Sequence, residues 1–266
     1  MVTYTRPEID WDTFPTSDGE PMAETIENVV QMVDLMFAVR DLLETQGRAR
    51  VAVGGNQLMY YNRHNGRDHI SPDVYVALDV APGNRPKWET WVEGKFPDIV
   101  FEITSPSTQD VDLDSKRALY ARLGAHEYYI YDPQQKQSPS FRGYIRRGDA
   151  LEPMAPGSNG AIASPLLGAE LRQVGIYLRI IDPATGVPIR TPDEERHDRR
   201  VAEERALVEE RARLAAEDRA LVEERARLAA EERALVEEQA RLTAEDRAAR
   251  AEAALQEALA KLEDTR

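Results

Sequence analysis

The 266-residue sequence contains no cysteine, which excludes a disulfide framework, a thiol nucleophile and a cysteine metal site. The absence of cysteine fits a reducing compartment, and we expect a cytoplasmic protein. No apolar run is long enough to span a bilayer, and residues 1–9 lack the apolar segment of a signal peptide. The sequence therefore predicts no association with a membrane.

The chain also lacks an excess of basic residues. Its formal net charge is -14, from 34 Lys and Arg against 48 Asp and Glu. Residues 191–266 carry 15 basic and 22 acidic side chains, which leaves 19 and 26 for residues 1–190, so each part has a net charge of -7. A strong non-specific DNA-binding protein carries the opposite balance, so composition alone counts against a nucleic-acid function.

Several common catalytic motifs are missing. There is no Gly-x-Ser-x-Gly, which removes support for a serine hydrolase. Gly54-Gly55 is not followed by Lys-Ser/Thr, so a bulge or turn is favoured over a phosphate loop. His64 and His69 lie in a polar loop and His126 precedes a strand, and with no cysteine to complete a zinc site we interpret all three as surface or turn residues.

The most informative stretch is Pro97–Thr108, which reads PDIVFEITSPST. Its first part is rich in β-branched and aromatic residues, and Ser-Pro-Ser-Thr ends it as a turn. Side chains alternate along a strand, so Ile99, Phe101 and Ile103 face one way, and the opposite face carries Asp98, Val100, Glu102 and Thr104. A carboxylate such as Glu102 on a buried strand must be paired, hydrogen-bonded or bound to a metal.

A helix is predicted after this strand, from Leu113 to a stop at Gly124. Helical spacing places five residues on one face: Leu113, Lys116, Leu119, Tyr120 and Leu123. An inward lysine is costly unless an anion meets it, and the group around Glu102 is the candidate partner. The alternative is that Lys116 snorkels to solvent past the helix end, and periodicity alone leaves both interpretations open.

The remaining pattern predicts a mixed α/β domain that closes near Arg190. Residues 23–44 have helical period, and strands are predicted at 50–53, 71–78, 126–131, 141–146, 161–163 and 177–181. The strand opened by Ser71-Pro72-Asp73 turns Val74, Val76 and Leu78 to one face, and the other face carries Asp73, Tyr75 and Ala77. Residues 85–95 are expected to form a loop that could cover a cleft. Its Trp88 and Trp91 could stack on bases, although packing against the core is favoured.

From Pro192 onward the composition changes sharply, and a unit of fourteen residues repeats over 207–220, 221–234 and 235–248. Leucine falls at every seventh position: Leu207, Leu214, Leu221, Leu228, Leu235 and Leu242. Polar residues such as Glu210 and Arg211 occupy the places three and four residues after each leucine, so the apolar stripe is narrow. Helix propensity is high, and Glu–Arg pairs support it. We expect a coiled coil rather than a solitary helix, and a homo-oligomer formed in part through this tail.

Asp73, Glu102 and Lys116 together suggest metal-assisted phosphodiester hydrolysis. Carboxylates suit Mg²⁺, which prefers oxygen ligands and activates water beside a phosphate. A lysine can position that water or stabilise the negative charge that develops on phosphorus.

The same residues resemble the Uma-type (Uma-two) endonuclease family of the PD-(D/E)XK, restriction-endonuclease-like superfamily. The resemblance spans roughly residues 20–190 and rests on several motifs in order: Ser71-Pro72-Asp73-Val74, Pro97–Thr108, Asp114, Lys116, Tyr120 and Gly124-Ala125-His126-Glu127-Tyr128. It implies an α/β core with a central mixed sheet flanked by helices, DNA cleavage, and dependence on Mg²⁺, with Mn²⁺ as an alternative.

By position, the resemblance implies that Asp73, Glu102 and the Ile103 carbonyl bind the metal. Thr104 stands where the superfamily usually has its lysine, and Lys116 resembles a migrated lysine. Three further residues are candidates. Glu24 resembles a further acidic site residue of some relatives, and Gln57 could contact the metal ligands without binding the metal itself. Asp98 shares a strand face with Glu102 and could be a ligand, although its place at the strand entry favours a structural role.

The predicted organisation is an irregular lead over residues 1–22, a restriction-endonuclease-like domain over 23–191 and a charged heptad-repeat helix over 192–266. The leading functional hypothesis is a Mg²⁺-dependent DNA endonuclease. The rival is a catalytically inactive nuclease-like fold that acts as a binding or oligomerisation module through its tail. A nuclease acting on RNA or on branched DNA is a third possibility.

Overall fold

The computed structural model describes residues 13–17, 25–104 and 113–263, with side chains described except at 113 and 256–263. The predicted turn at Ser105–Thr108, the acidic start of the third helix, residue Glu24 and most of the lead over 1–22 lie outside this part. The chain divides into two compact units, Met1–Glu195 and Arg196–Arg266.

The first unit contains three helices and twelve strands among its described residues. The helices are α1 (Ile26–Thr45), α2 (Thr90–Glu93) and α3 (Leu113–Leu123). The strands are β1 (Val51–Gly54), β2 (Met59–Tyr60), β3 (His69–Ile70), β4 (Val74–Leu78), β5 (Trp88–Glu89), β6 (Ile99–Ile103), β7 (Glu127–Tyr131), β8 (Phe141–Arg147), β9 (Ala150–Pro153), β10 (Ile162–Ser164), β11 (Ala169–Val174) and β12 (Tyr177–Ile181).

Six of these strands form the central sheet, in the order β1-β4-β6-β7-β8-β9. Strands β6 and β7 are parallel because α3 connects them as a crossover, and the other neighbouring pairs are antiparallel. All residues of β4, β6 and β7 are buried. The central mixed sheet predicted from the sequence is confirmed.

The two faces of the sheet carry separate hydrophobic clusters, as the alternation of side chains requires. On one face, Val74, Ile99 and Phe101 pack with α1 and with the sheet β10-β11-β12. On the other face, Tyr75 and Val100 pack with α3 and with residues of β2 and β5. The predicted division of the β4 and β6 side chains between two faces is therefore confirmed.

The buried side-chain amide of Gln31 connects helix α1 to the sheet β10-β11-β12. The Gln31 side chain donates a hydrogen bond to the Leu178 carbonyl at 3.0 Å and accepts one from the Leu178 N–H at 2.8 Å. Both polar groups of this glutamine are therefore satisfied although its side chain is fully buried. The bond connects the first helix of the domain to its last strand.

The segment 85–95 is not the loop that the sequence predicted. It forms β5 and the single turn α2, and β5 pairs in parallel with β2 in a small sheet whose order is β3-β2-β5. Trp88 is fully buried, and its indole N–H donates to the Lys95 carbonyl at 2.9 Å. The burial of this large ring draws the segment onto the core, which confirms the preference for packing over stacking on bases at Trp88. Trp91 is partly buried and meets the ring of Phe14 edge-on at 5.2 Å.

The second unit is almost wholly one helix, α4 (Pro192–Glu263, 72 residues). It begins with a capping box, in which Thr191 Oγ1 accepts from the Glu194 N–H at 3.2 Å and a Glu194 carboxylate oxygen accepts from the Thr191 N–H at 2.9 Å. The long C-terminal helix is confirmed. None of the described helices is both long and apolar enough to cross a membrane.

Candidate active site

The candidate site lies where β4 begins and β6 ends. The antiparallel register pairs Val74 with Phe101 and Tyr75 with Val100. One position beyond the Val74–Phe101 pair, Asp73 lies opposite Glu102. Both residues are on the sheet face covered by α3, because Asp73 shares the parity of Tyr75, and Glu102 that of Val100.

The backbone of β6 holds the Asp73 side chain at this edge. Its carboxylate Oδ2 accepts a hydrogen bond from the Ile103 N–H at 2.6 Å. A hydrogen bond to an ionised acceptor is short and strong, so it orients Asp73 toward the end of the neighbouring strand. This contact also brings the backbone of Ile103, the third predicted ligand, to Asp73.

Gly55 is a further support for Asp73. A Cβ atom built on Gly55 would collide with the Asp73 carbonyl oxygen, and the adjacent Asn56 N–H donates to the Pro72 carbonyl at 3.0 Å. The chain after β1 therefore packs directly on the backbone that carries Asp73. Only glycine permits so close an approach, which gives a physical role to the turn predicted at Gly54-Gly55.

Two side chains from α3 bind the two oxygens of Glu102. Lys116 Nζ lies 3.0 Å from Oε2, and the Tyr120 hydroxyl donates to Oε1 at 2.5 Å. The Glu102 side chain is 7% exposed and that of Lys116 is 24% exposed. Positions 116 and 120 are one helical turn apart, so both groups point from the same helix face to one carboxylate. The interpretation that Lys116 meets the group around Glu102 is confirmed over free snorkelling.

Tyr120 is the residue that the sequence did not single out for the site. It was placed on the inward face of α3 and among the family motifs, yet no role was assigned to it. Burial, followed by the charge and hydrogen bond of Glu102, raises the pKa of Tyr120 well above its ordinary value, and Asp73 adds to the rise. Tyr120 therefore remains a neutral donor at physiological pH. The signal that could have identified it was its spacing of four residues from Lys116.

Of the remaining predicted site residues that the structure describes, Asp98 is not brought to this edge. Asp98 lies before β6, at the opposite end from Glu102, where its carboxylate accepts from the Leu78 N–H at 2.7 Å and pairs with Lys95 at 2.7 Å. Its contacts are those of a structural strand-entry residue. Gln57 accepts from the Tyr75 hydroxyl at 2.7 Å and donates to the Arg85 carbonyl. Glu24 lies outside the described residues.

The donor set at the edge is chemically suited to Mg²⁺. Asp73, Glu102 and the Ile103 carbonyl offer only oxygen atoms, and Mg²⁺ commonly takes one or two carboxylates and keeps several waters. Within the described part of the chain, no group of three or more His, Cys, Asp or Glu side chains could hold a metal ion. Two carboxylates and one carbonyl would leave the remaining coordination positions of such a cation to water.

Thr104, which the resemblance places where a lysine is usual, is buried. Its N–H donates to the Tyr131 carbonyl at 2.8 Å, and its hydroxyl lies 3.4 Å from the same oxygen. The residue thus continues the pairing of β6 with β7. The ammonium at this edge comes instead from Lys116 on α3.

Comparison with known proteins gives one family and a structural likeness. None of the curated proteins compared with the chain matches it. One solved structure, described as "a putative nuclease belonging to DUF820 from Anabaena variabilis", is 15% identical, with a TM-score of 0.43 over 60% of this chain and 92% of that chain. The model of the family described as "Uma2: Putative restriction endonuclease" matches residues 13–173, more than half of the sequence. The chain therefore belongs to the Uma2 "Putative restriction endonuclease" family.

Proposed function

We propose that the protein is a Mg²⁺-dependent endonuclease that hydrolyses phosphodiester bonds in DNA. The observation that carries the proposal is the arrangement at one edge of the sheet. Asp73 lies opposite Glu102 across the β4–β6 register, and Lys116 reaches the same carboxylate from α3. Membership of a family described as restriction endonucleases supports the same reaction.

In this proposal Asp73, Glu102 and the Ile103 carbonyl hold the cation. When bound, Mg²⁺ supplies Lewis acidity, polarising a phosphate oxygen and lowering the pKa of water. The Ile103 N–H fixes the Asp73 carboxylate at 2.6 Å, so this ligand is oriented before a cation arrives. Preorganised ligands of this kind do not have to be ordered during the reaction.

Lys116 has two consecutive tasks in the proposed mechanism. Without a cation it neutralises Glu102 at 3.0 Å, which keeps a nearly buried carboxylate paired. With substrate present, its ammonium is close enough to the carboxylate edge to position the attacking water or to stabilise charge on the phosphate. The hydrogen bond from the Tyr120 hydroxyl to Oε1 fixes the orientation of Glu102, both while Lys116 pairs with Oε2 and when Lys116 contacts the substrate.

The negative charge of the domain has to be reconciled with a DNA substrate. Residues 1–190 carry a net charge of -7, from 19 basic and 26 acidic side chains. DNA affinity usually comes from lysines and arginines that replace counterions on phosphates. We therefore expect weak DNA binding that depends on the divalent cation, because the cation offsets the repulsion between the DNA phosphates and the carboxylates of Asp73 and Glu102. Binding without a divalent cation should be negligible.

The test is incubation of the purified full chain with supercoiled plasmid in Mg²⁺, Mn²⁺ or EDTA. Wild type should nick or linearise the plasmid only with a cation, whereas Glu102→Gln and Lys116→Met should be inactive with unchanged circular dichroism. Glu152→Gln is the matched control, because Glu152 is an exposed glutamate on β9 of the same domain.

Single-stranded RNA and branched DNA are included as parallel substrates. Cleavage confined to either one would replace plain duplex DNA as the substrate while keeping the site. Full activity in Glu102→Gln would remove the proposed site. Inactivity of folded wild type on every substrate would favour the catalytically inactive binding module. The negative net charge of the chain is in line with that alternative.

A further inference from the structure

The charged residues on the surface of α4 favour some arrangements of a pair of such helices over others. Its leucine stripe is half exposed along the whole repeat: Leu207 53%, Leu214 49%, Leu221 51%, Leu228 53%, Leu235 61% and Leu242 54%. A row of half-exposed leucines at one heptad position is typical of a helix that packs against another helix.

Two charged rows flank these leucines. The residue three places after each leucine is always glutamate: Glu210, Glu217, Glu224, Glu231, Glu238 and Glu245. The residue four places after each leucine changes sign along the helix, in the order Arg211, Asp218, Arg225, Glu232, Gln239 and Asp246. We call these the glutamate row and the alternating row.

The heptad phase follows from the two rows. If leucine is the a residue, the glutamate row becomes d, and six glutamates would line the core of any dimer. If leucine is d, the alternating row becomes a and the glutamate row becomes g. With leucine at d, fewer residues of the same charge lie between the two helices, so we assign leucine to d. Alternate members of the glutamate row are then paired within the helix, as in Arg213–Glu217 and Arg227–Glu231, both at 3.6 Å.

The glutamate row disfavours an antiparallel pair. In an antiparallel coiled coil the g residues of one helix face the g residues of the other, so glutamate would line both sides of that flank. In a parallel coiled coil the g residues face e residues. The e residues here are Val208, Ala215, Val222, Ala229 and Val236, which carry no charge. Parallel packing therefore avoids the repulsion.

The alternating row decides the register of a parallel pair. In register, each residue meets its own copy, which gives five like-charge layers, at Arg211, Asp218, Arg225, Glu232 and Asp246. A shift of one heptad keeps leucine opposite leucine. The same row then places Arg211 opposite Asp218, Asp218 opposite Arg225, and Arg225 opposite Glu232. Polar a residues are known to set register in this way.

We propose that α4 binds the α4 helix of a second copy of this chain in a parallel pair staggered by seven residues. The occupant of the leucine stripe is thus the same stripe one heptad out of step, and the contact is heterologous rather than twofold symmetric. The seam contains one leucine per heptad, so the pair is weak and dissociates on dilution. Its specificity comes from the alternating row, which repels in register and attracts when shifted.

The absence of native cysteine makes disulfide mapping in the full chain a direct test. Leu214→Cys and Leu221→Cys proteins, one of them with a size tag, are mixed and oxidised. The staggered pair brings these two introduced thiols together, and neither protein alone should crosslink efficiently. We expect the mixed product to exceed either self-product by roughly tenfold, since exposed charge pairs contribute little singly and five layers act together. Ala220→Cys, exposed and off the seam, gives the rate of random collision.

A second set of variants tests the cause of the stagger. Arg211→Gln, Asp218→Gln, Arg225→Gln and Glu232→Gln, combined in the Leu221→Cys protein, neutralise four of the five like-charge layers. Self-crosslinking at 221 should then rise severalfold. The proposal is overturned if the unaltered row already gives mainly self-products, or if every product stays at the collision rate. Preferential crosslinking between Leu207→Cys and Gln239→Cys, a d and an a residue that an antiparallel pair would bring together, overturns it equally.

Discussion

The hydroxyl of Tyr120 can be removed with little other change to the molecule. The Tyr120 ring is fully buried between Phe96, at a centroid distance of 5.8 Å, and Tyr128, at 5.1 Å. Tyr120→Phe keeps these ring contacts and deletes only the group that donates to Glu102 Oε1 at 2.5 Å. The carboxylate then retains Lys116 on its other oxygen.

The magnitude follows from the charge and burial of the acceptor. A hydrogen bond to a charged group contributes about 1.5–3 kcal/mol, and a buried acceptor that loses its donor pays for its own desolvation. For a unit of this size, each kcal/mol lowers the melting temperature by about 2–4 °C, so we expect a fall of about 3–12 °C. The variant should also bind Mg²⁺ more weakly, because Glu102 is less firmly oriented.

Tyr131→Phe is the matched control. Tyr131 is also fully buried, but within the described part of the chain its hydroxyl has no hydrogen-bond partner. Its removal should leave the free energy of unfolding unchanged or raise it by up to about 1 kcal/mol. Urea unfolding followed by tryptophan fluorescence reports the first unit alone, because all three tryptophans precede residue 195. Equal losses of stability in the two variants would refute the reasoning about the Glu102 contact.

The other predictions concern the metal, the opposite face of the sheet and the tail. Millimolar Mg²⁺ should raise the melting temperature of wild type, by the equivalent of about 2.7 kcal/mol at one hundred times Kd. Asp73→Asn/Glu102→Gln should not respond, and an equal response in calorimetry would contradict a shared site. Burial raises the pKa of Glu127 above its ordinary 4.5. The native state therefore holds this proton more tightly, and stability should fall as pH rises from about 4.5 through the raised pKa. Glu127→Gln should flatten that part of the urea-midpoint profile, and an unchanged slope would assign it to other groups. A chain ending at Glu195 should stay folded by circular dichroism and keep any cleavage activity, and loss of either would show that the first unit needs the tail.

Much of the architecture is encoded in local periodicity. The alternation in β4 and β6 assigned their side chains to the correct faces, because a strand has a period of two whatever its neighbours are. The 3.6-residue period of α3 likewise placed Lys116 and Tyr120 on its inward face. Strands β9 and β11 were missed, since polar residues on their exposed sides leave few apolar residues to mark the alternation.

Contacts between distant segments could not be predicted in the same way. Periodicity left Lys116 open between an ion pair and snorkelling, because it specifies the face of a helix but not the distance from that face to a strand. It also left Asp98 as a candidate ligand, since Asp98 and Glu102 share a face of β6. Only the fold shows that the Asp98 carboxylate accepts from the Leu78 N–H, at the far end of that strand.

By itself, the sequence determined the helices α1, α3 and α4, the central strands β4, β6 and β7 with the faces of β4 and β6, and the repeating charge pattern of α4. These depend on interactions within a few residues along the chain. The tertiary structure decided that Asp73 lies opposite Glu102, that the Ile103 N–H holds Asp73, and that Tyr120 and Lys116 share one carboxylate. These contacts join residues 14–30 positions apart in the chain. They depend on strand register and on the position of α3 over the sheet, which the packing of the whole core determines.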